Sequence, residues 1–132
     1  MATPPSLPGG DLEYAVLSAL WDLETASARD IHERVGVPDG LVYTTTAKVL
    51  DRLFEKRLVE RTRAGKAFVY RAAVERDAIE RRRAKASLEH LFGSSAKPPV
   101  AALVDAVEAI DPDLLDELAR AVQARRRLRR GP

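Results

Sequence analysis

The chain contains no cysteine. Disulfides, thiolate metal sites and cysteine nucleophiles are thereby excluded, and a reducing cytoplasm fits that usage. Aromatic residues make up only 5% (one Trp, three Tyr, three Phe), so any core must come from the Leu, Val and Ala that dominate a 45% hydrophobic composition. The two histidines, His32 and His90, stand apart with no metal-like spacing. Structural or solvated roles suit them better than ligation, and no metal or other cofactor is expected. No run approaches the ~18 apolar residues that cross a bilayer. The opening "MATPPSLPGG" lacks the basic and apolar regions of a signal peptide. A soluble, cytoplasmic protein without membrane insertion is expected. With no histidine–carboxylate cluster and no Gly-rich phosphate loop, an enzyme is the weakest functional reading.

The 132 residues suit one domain or two small subdomains. Their net charge of +2 conceals an asymmetry. Residues 1–40 hold seven acids against two bases, residues 41–71 eight bases against three acids, and residues 72–132 twelve bases against ten acids. The basic excess is thus focused on 41–71, a footprint suited to a polyanion partner.

Residues 1–10, rich in Pro and Gly, are expected to form a disordered N-terminal arm. From Asp11, "DLEYAVLSALWDL" repeats Leu12, Val16, Leu20 and Leu23 at helical spacing behind an acidic start. "SARDIHERV" places Ser27 three residues before Asp30, close to a capping box, and predicts a short helix over 28–35. "GVPDG" breaks it. A third helix is predicted over 43–56. At about 100° per residue, Val42, Thr46, Val49, Leu50 and Leu53 share its inner side. Thr44, Lys48, Asp51 and Glu55 lie opposite, with Thr45 and Arg52 on a flank. The period then changes: "LVERTRAGKAFVYRA" reads as two strands, about 58–63 and 67–72, around an "AGK" turn. Helix, helix, helix, hairpin is the plan of a winged helix-turn-helix, here over 11–72.

Residues 73–132 differ in kind. A long helix ends at Gly93, a second spans Val100 to about Ile110, and a third starts at Asp111-Pro112, with Pro tolerated in the first turn. Three amphipathic helices in sixty residues make a poor private core. Leu88, Leu91, Phe92, Leu103, Val104, Val107, Leu114 and Leu118 are better buried against a second copy. The expected fold is therefore mainly α with a small β-hairpin wing: a winged helix-turn-helix followed by a three-helix dimerisation module.

For the 43–56 helix, the functional reading is recognition in the DNA major groove, and the alternative is a solvated face that happens to carry threonines. N-terminal residues of such helices meet base edges. Threonine hydroxyls donate or accept, the methyl suits thymine, and Lys or Arg reaches guanine or phosphate. Arg61, Arg63 and Lys66 surround the hairpin turn, where they would reach phosphates or a minor groove. Phe68 and Tyr70 are assigned to the core, and Trp21 to the core or to packing between subdomains. The arginines of "ARRRLRRGP" (124–132) are assigned to compensating a helix dipole, with DNA contact as the alternative.

The stretches "ALWDLETASARDIHERV", "VYTTTAKVLDRLFEKRLVERTRAGKAFVYRA" and "LEHLFGSS…AALVDAV" resemble the penicillinase-repressor family. The resemblance runs from about Asp11 to Ala124 and is most specific from Val42 to Arg71. It implies a dimeric winged-helix repressor on a dyad operator at a β-lactamase or resistance promoter. It further implies release when a membrane sensor protease triggers cleavage. By position, Thr44, Thr45, Lys48 and Arg52 match the family's groove-facing residues, and Arg63 and Lys66 its wing. Three departures stand out. Arg57 replaces a frequent Gly, the cysteine-rich tail of the copper-responsive members is absent, and Asp105-Ala106 stands at the family's Asn-Phe cleavage step.

These readings converge on a sequence-specific repressor acting as a homodimer on double-stranded DNA. The alternative is a winged-helix module whose third helix meets a partner protein.

Overall fold

The computed structural model describes residues 6–93, 97 and 99–131. The chain divides into two compact units, Met1–Ser87 and Leu88–Pro132.

In the first unit, α1 (Asp11–Leu23) is followed by the two-residue strand β1 (Ala26–Ser27) and α2 (Ala28–Ile31). The predicted capping box forms: the Asp30 amide donates to Ser27 Oγ, and the Ser27 amide to Asp30 Oδ2. Hydrogen bonds to the Asp30 carboxylate from the Ser27 amide and the Ser27 hydroxyl hold it below its usual pKa. The helix predicted over 28–35 does not continue as an α-helix. From His32 to Gly36 it widens into a π turn, closed by the Val37 amide on the His32 carbonyl at 2.7 Å.

Helix α3 (Tyr43–Glu55) precedes strands β2 (Val59–Ala64) and β3 (Ala67–Ala72). The sheet is antiparallel in the order β1-β3-β2, with Arg61 opposite Tyr70 and Arg63 opposite Phe68. β1 was not anticipated from the sequence; it exists because the edge of β3 pairs Tyr70 with Ala26.

The core joins Val16, Leu17 and Leu20 of α1, Ile31 of α2, Val49, Leu50 and Leu53 of α3, Leu58, and Ile79 of α4 (Arg76–Phe92). Each Leu or Ile so buried contributes about 1.5–3 kcal/mol, far more than the helix propensities involved. Ile79 carries the compact unit beyond residue 72, and Val74 packs beside it. Trp21 packs on the same core while its Nε1 donates to the Val74 carbonyl at 2.9 Å. In the expected N-terminal arm, residues 1–5 lie outside the described residues, while Pro8 is buried and Leu7 packs on the core.

The second unit contains the end of α4, α5 (Val100–Ile110) and α6 (Pro112–Arg130), with α5 against α6. Asp111 caps α6 by accepting from the Asp113 amide. Neither α5 nor α6 buries a residue.

The fold is a winged helix-turn-helix with a helical second unit.

Candidate nucleic-acid interface

The face of interest is built by α3. Thr46, Val49, Leu50 and Leu53 are buried, and Thr44, Lys48, Asp51 and Glu55 face outward as the periodicity predicts. Val42, expected inside, is 66% exposed. It precedes the helix in extended conformation (φ −81, ψ 156), so the helical projection does not apply to it.

Thr46 is almost fully buried, and its hydroxyl is satisfied by His32 Nδ1 at 2.7 Å. The Tyr43 ring meets His32 edge-on with centroids 5.5 Å apart. Gly36 passes so close that a Cβ there would lie 2.3 Å from His32 Nδ1 and 2.4 Å from Thr46 Oγ1. The first turn of α3 is thereby seated on the helix-turn-helix by one histidine and one glycine.

That seating leaves the N-terminus of α3 turned to the outside. Its first turn holds no acid and has no side-chain cap, unlike α2 and α6, which have both. The amide-rich end of the helix dipole therefore remains available to an anion. Thr44 is exposed there and Thr45 half-buried, with Lys48 and Arg52 exposed one and two turns on. Among the described residues, neither Lys48 nor Lys66 is paired with a carboxylate.

The wing divides its cations. Arg63 reaches back to the Gly65 carbonyl at the turn and Lys66 is exposed. Arg61 is placed elsewhere than at the tip. Its guanidinium lies 3.9 Å from the Phe54 ring centroid and 4.5 Å from that of Phe68, and it pairs with Asp51 at 3.3 Å. Arg61 therefore ties the wing to α3. Phe68 is half-buried against the core and Tyr70 is buried in it, as assigned.

Between the start of α2, α3 and β3 opens a cleft of about 510 Å³, with Arg29, Tyr43, Ala47, Asp51, Lys66 and Phe68 on its walls. Arg29 and Tyr43 were not among the sequence-derived candidates. Arg29 sits in an acidic stretch of sequence, and Tyr43 falls at the border between the two sides of α3, so only the approach of α2 to the wing joins them to the basic face.

Away from this face, Glu13 is 6% exposed and receives Lys56 Nζ at 2.7 Å. Burial works to raise the Glu13 pKa. The hydrogen bonds from Lys56 and the Gly9 amide, with the charges of Lys56 and Arg52, outweigh it and hold the carboxyl below its ordinary value.

In the second unit, Leu88, Phe92, Leu103, Val104, Val107 and Leu118 are half-buried, while Leu91 is 54% and Leu114 37% exposed. Asp105 and Ala106 are both exposed within α5, so a protease would have to unwind that helix to cut between them. Among the described residues, no cluster of three or more metal-ligating side chains occurs, and no helix is long and apolar enough to cross a membrane.

The family model described as penicillinase repressor matches residues 9–124. The chain belongs to the penicillinase-repressor family. Members are DNA-binding transcriptional regulators and not enzymes. The chain is 36% identical over 114 residues to the transcriptional regulator BlaI of Mycobacterium tuberculosis, in two strains, covering 86% of this chain and 81% of that one. Among solved structures, the DNA-binding domain of the repressor BlaI superposes with a TM-score of 0.50 at 20% identity. That match covers 58% of this chain and 90% of the other, and it supports the fold.

Proposed function

We propose that this member of the penicillinase-repressor family represses transcription as a homodimer on a pseudo-palindromic operator, with resistance genes such as a penicillinase gene as the class of target. The observation that carries the reading is the outward edge of α3. Thr44, Thr45 and Lys48 stand at an uncapped, acid-free helix start, and Lys66 and Arg63 extend the positive face along the wing. Thr44, Thr45, Lys48 and Arg52 read base edges; Arg63 and Lys66, joined by Arg29, hold phosphates. Arg61 holds the wing in place.

The second unit supports the dimer. Leu91 of α4 and Val100, Ile110, Leu114 and Val122 are all more than a third exposed, the last four on helices that bury no residue. A second copy supplies the missing half of that core. The test is fluorescence anisotropy on DNA from upstream of the gene beside a shuffled duplex, with sedimentation to read stoichiometry. A preference of about 10³-fold or more, with two chains per site, is expected. Equal, weak binding to both duplexes together with retention of a protein partner would instead favour a protein–protein role for α3.

A further inference from the structure

Helix α6 runs without a break to Arg130, and its last turns carry Arg125, Arg126, Arg127, Arg129 and Arg130. All five are exposed, and among the described residues none is paired with a carboxylate. This stretch lies past residue 124, where the family match ends. The five charges outweigh the whole chain's net +2, so residues 1–124 alone would be net acidic at −3.

A helix dipole does not account for them. It presents about half an elementary charge at the C-terminal end, and its effect fades within one turn. One or two cations satisfy it; five overshoot it several-fold.

We propose that residues 125–130 form a second, sequence-independent DNA-binding surface that takes the phosphodiester backbone outside the bases read by α3. The inference rests on DNA being the partner of the first unit. At about 100° per residue, the five guanidinium groups spread over more than half of the helix circumference, so the surface has no single reading edge. That distribution suits backbone contacts. Arginine pairs bidentately with phosphate. Leu128, 77% exposed, is the only large apolar side chain in the segment. A segment lying in a membrane interface needs a continuous apolar face, which residues 125–130 do not themselves supply. Joined to a domain already on DNA, the surface acts at high effective concentration. It lengthens residence on any duplex and adds nothing to discrimination.

The experiment uses the full chain and a variant with all five residues changed to Gln, which keeps helix propensity. Dimer stoichiometry and helicity are checked first. Binding is measured against salt on a minimal operator duplex and on a long random duplex. Each phosphate contact contributes about 0.9 to the slope of log K against log salt. The Gln variant is expected to lose about 2 or more from the slope on long random DNA, and about tenfold or more in affinity. Its ratio of operator to random binding should rise. A variant with the same five positions changed to Lys should recover the slope. An unchanged slope on long random DNA, with the wild type still selecting its operator, overturns the inference and leaves the repressor reading standing. A wild type that binds no duplex overturns both. Loss of binding to phosphatidylserine vesicles with the DNA slope intact would assign the segment to lipid and also overturn it.

Discussion

His32 Nδ1 lies 2.7 Å from the Thr46 hydroxyl, beside a glycine too close to both to carry a side chain. A polar pair at this depth is a fixed point: each group satisfies the other where water has little access. Thr46→Val keeps the shape and removes the partner, and should cost about 1–3 kcal/mol. Gly36→Ala forces a methyl against both groups and should cost at least as much. Urea denaturation measures both; a Thr46→Val protein as stable as wild type would show that the pair contributes nothing.

Glu13 and Lys56 form the most buried ion pair among the described residues. The folded Glu13 pKa is depressed, so the stabilisation is complete above the ordinary glutamate range and disappears as pH falls through the folded value. Lys56→Met leaves the buried carboxylate with the Gly9 amide and the charge of Arg52. With Lys56 29% exposed, the cost should be about 1–2 kcal/mol at neutral pH, below that of breaking a fully buried pair. The deficit should shrink as pH falls through the glutamate range. A deficit independent of pH would remove Glu13 from the explanation.

Arg57 follows α3 with φ 63, in the left-handed region that a glycine commonly occupies at this point of a helix end. The backbone geometry is kept although the residue is not. Arg57→Gly should therefore raise stability by about 1 kcal/mol, read as a shift in the denaturation midpoint at constant slope. A loss of stability would mean that the contacts of the Arg57 side chain outweigh the strain.

Arg61 and Lys66 are both wing cations, and the structure separates their effects. Lys66→Ala should weaken operator and random DNA alike and lower the salt slope by about 1. Arg61→Ala removes the link between Asp51, Phe54 and Phe68. It should lower thermal stability and leave the salt slope nearly unchanged. Exchanged outcomes would place Arg61 on the phosphate.

Much of this was legible in the sequence, for reasons that also explain the rest. The inward set of α3 follows from helical period alone, because burial and period report the same geometry. Val42 escaped because it lies outside the helix whose period was applied to it. β1 has two residues, too few for alternation, and depends on the edge of β3, where Ala26 pairs with Tyr70 and Ser27 with Val69. The position of Arg61 was half-legible: β2 alternates, and Arg61 shares a face with buried Val59. The rings that receive it belong to two other elements. The clamp of His32 and Gly36 needed the π turn, which no local pattern announces. Arg29 joins the basic face only through the approach of α2 to the wing.

The central claim is that the N-terminal edge of α3 discriminates between sequences while the surrounding cations hold the backbone. Thr44 stands at the start of that edge, exposed and uncharged. The most direct measurement is the affinity of Thr44→Ala and wild type for an operator recovered by selection from a random duplex pool, and for random DNA, at matched salt. The account predicts a loss of about tenfold on the operator, with random-DNA binding and salt slope unchanged. Equal losses on both duplexes, or none on the operator, would contradict it.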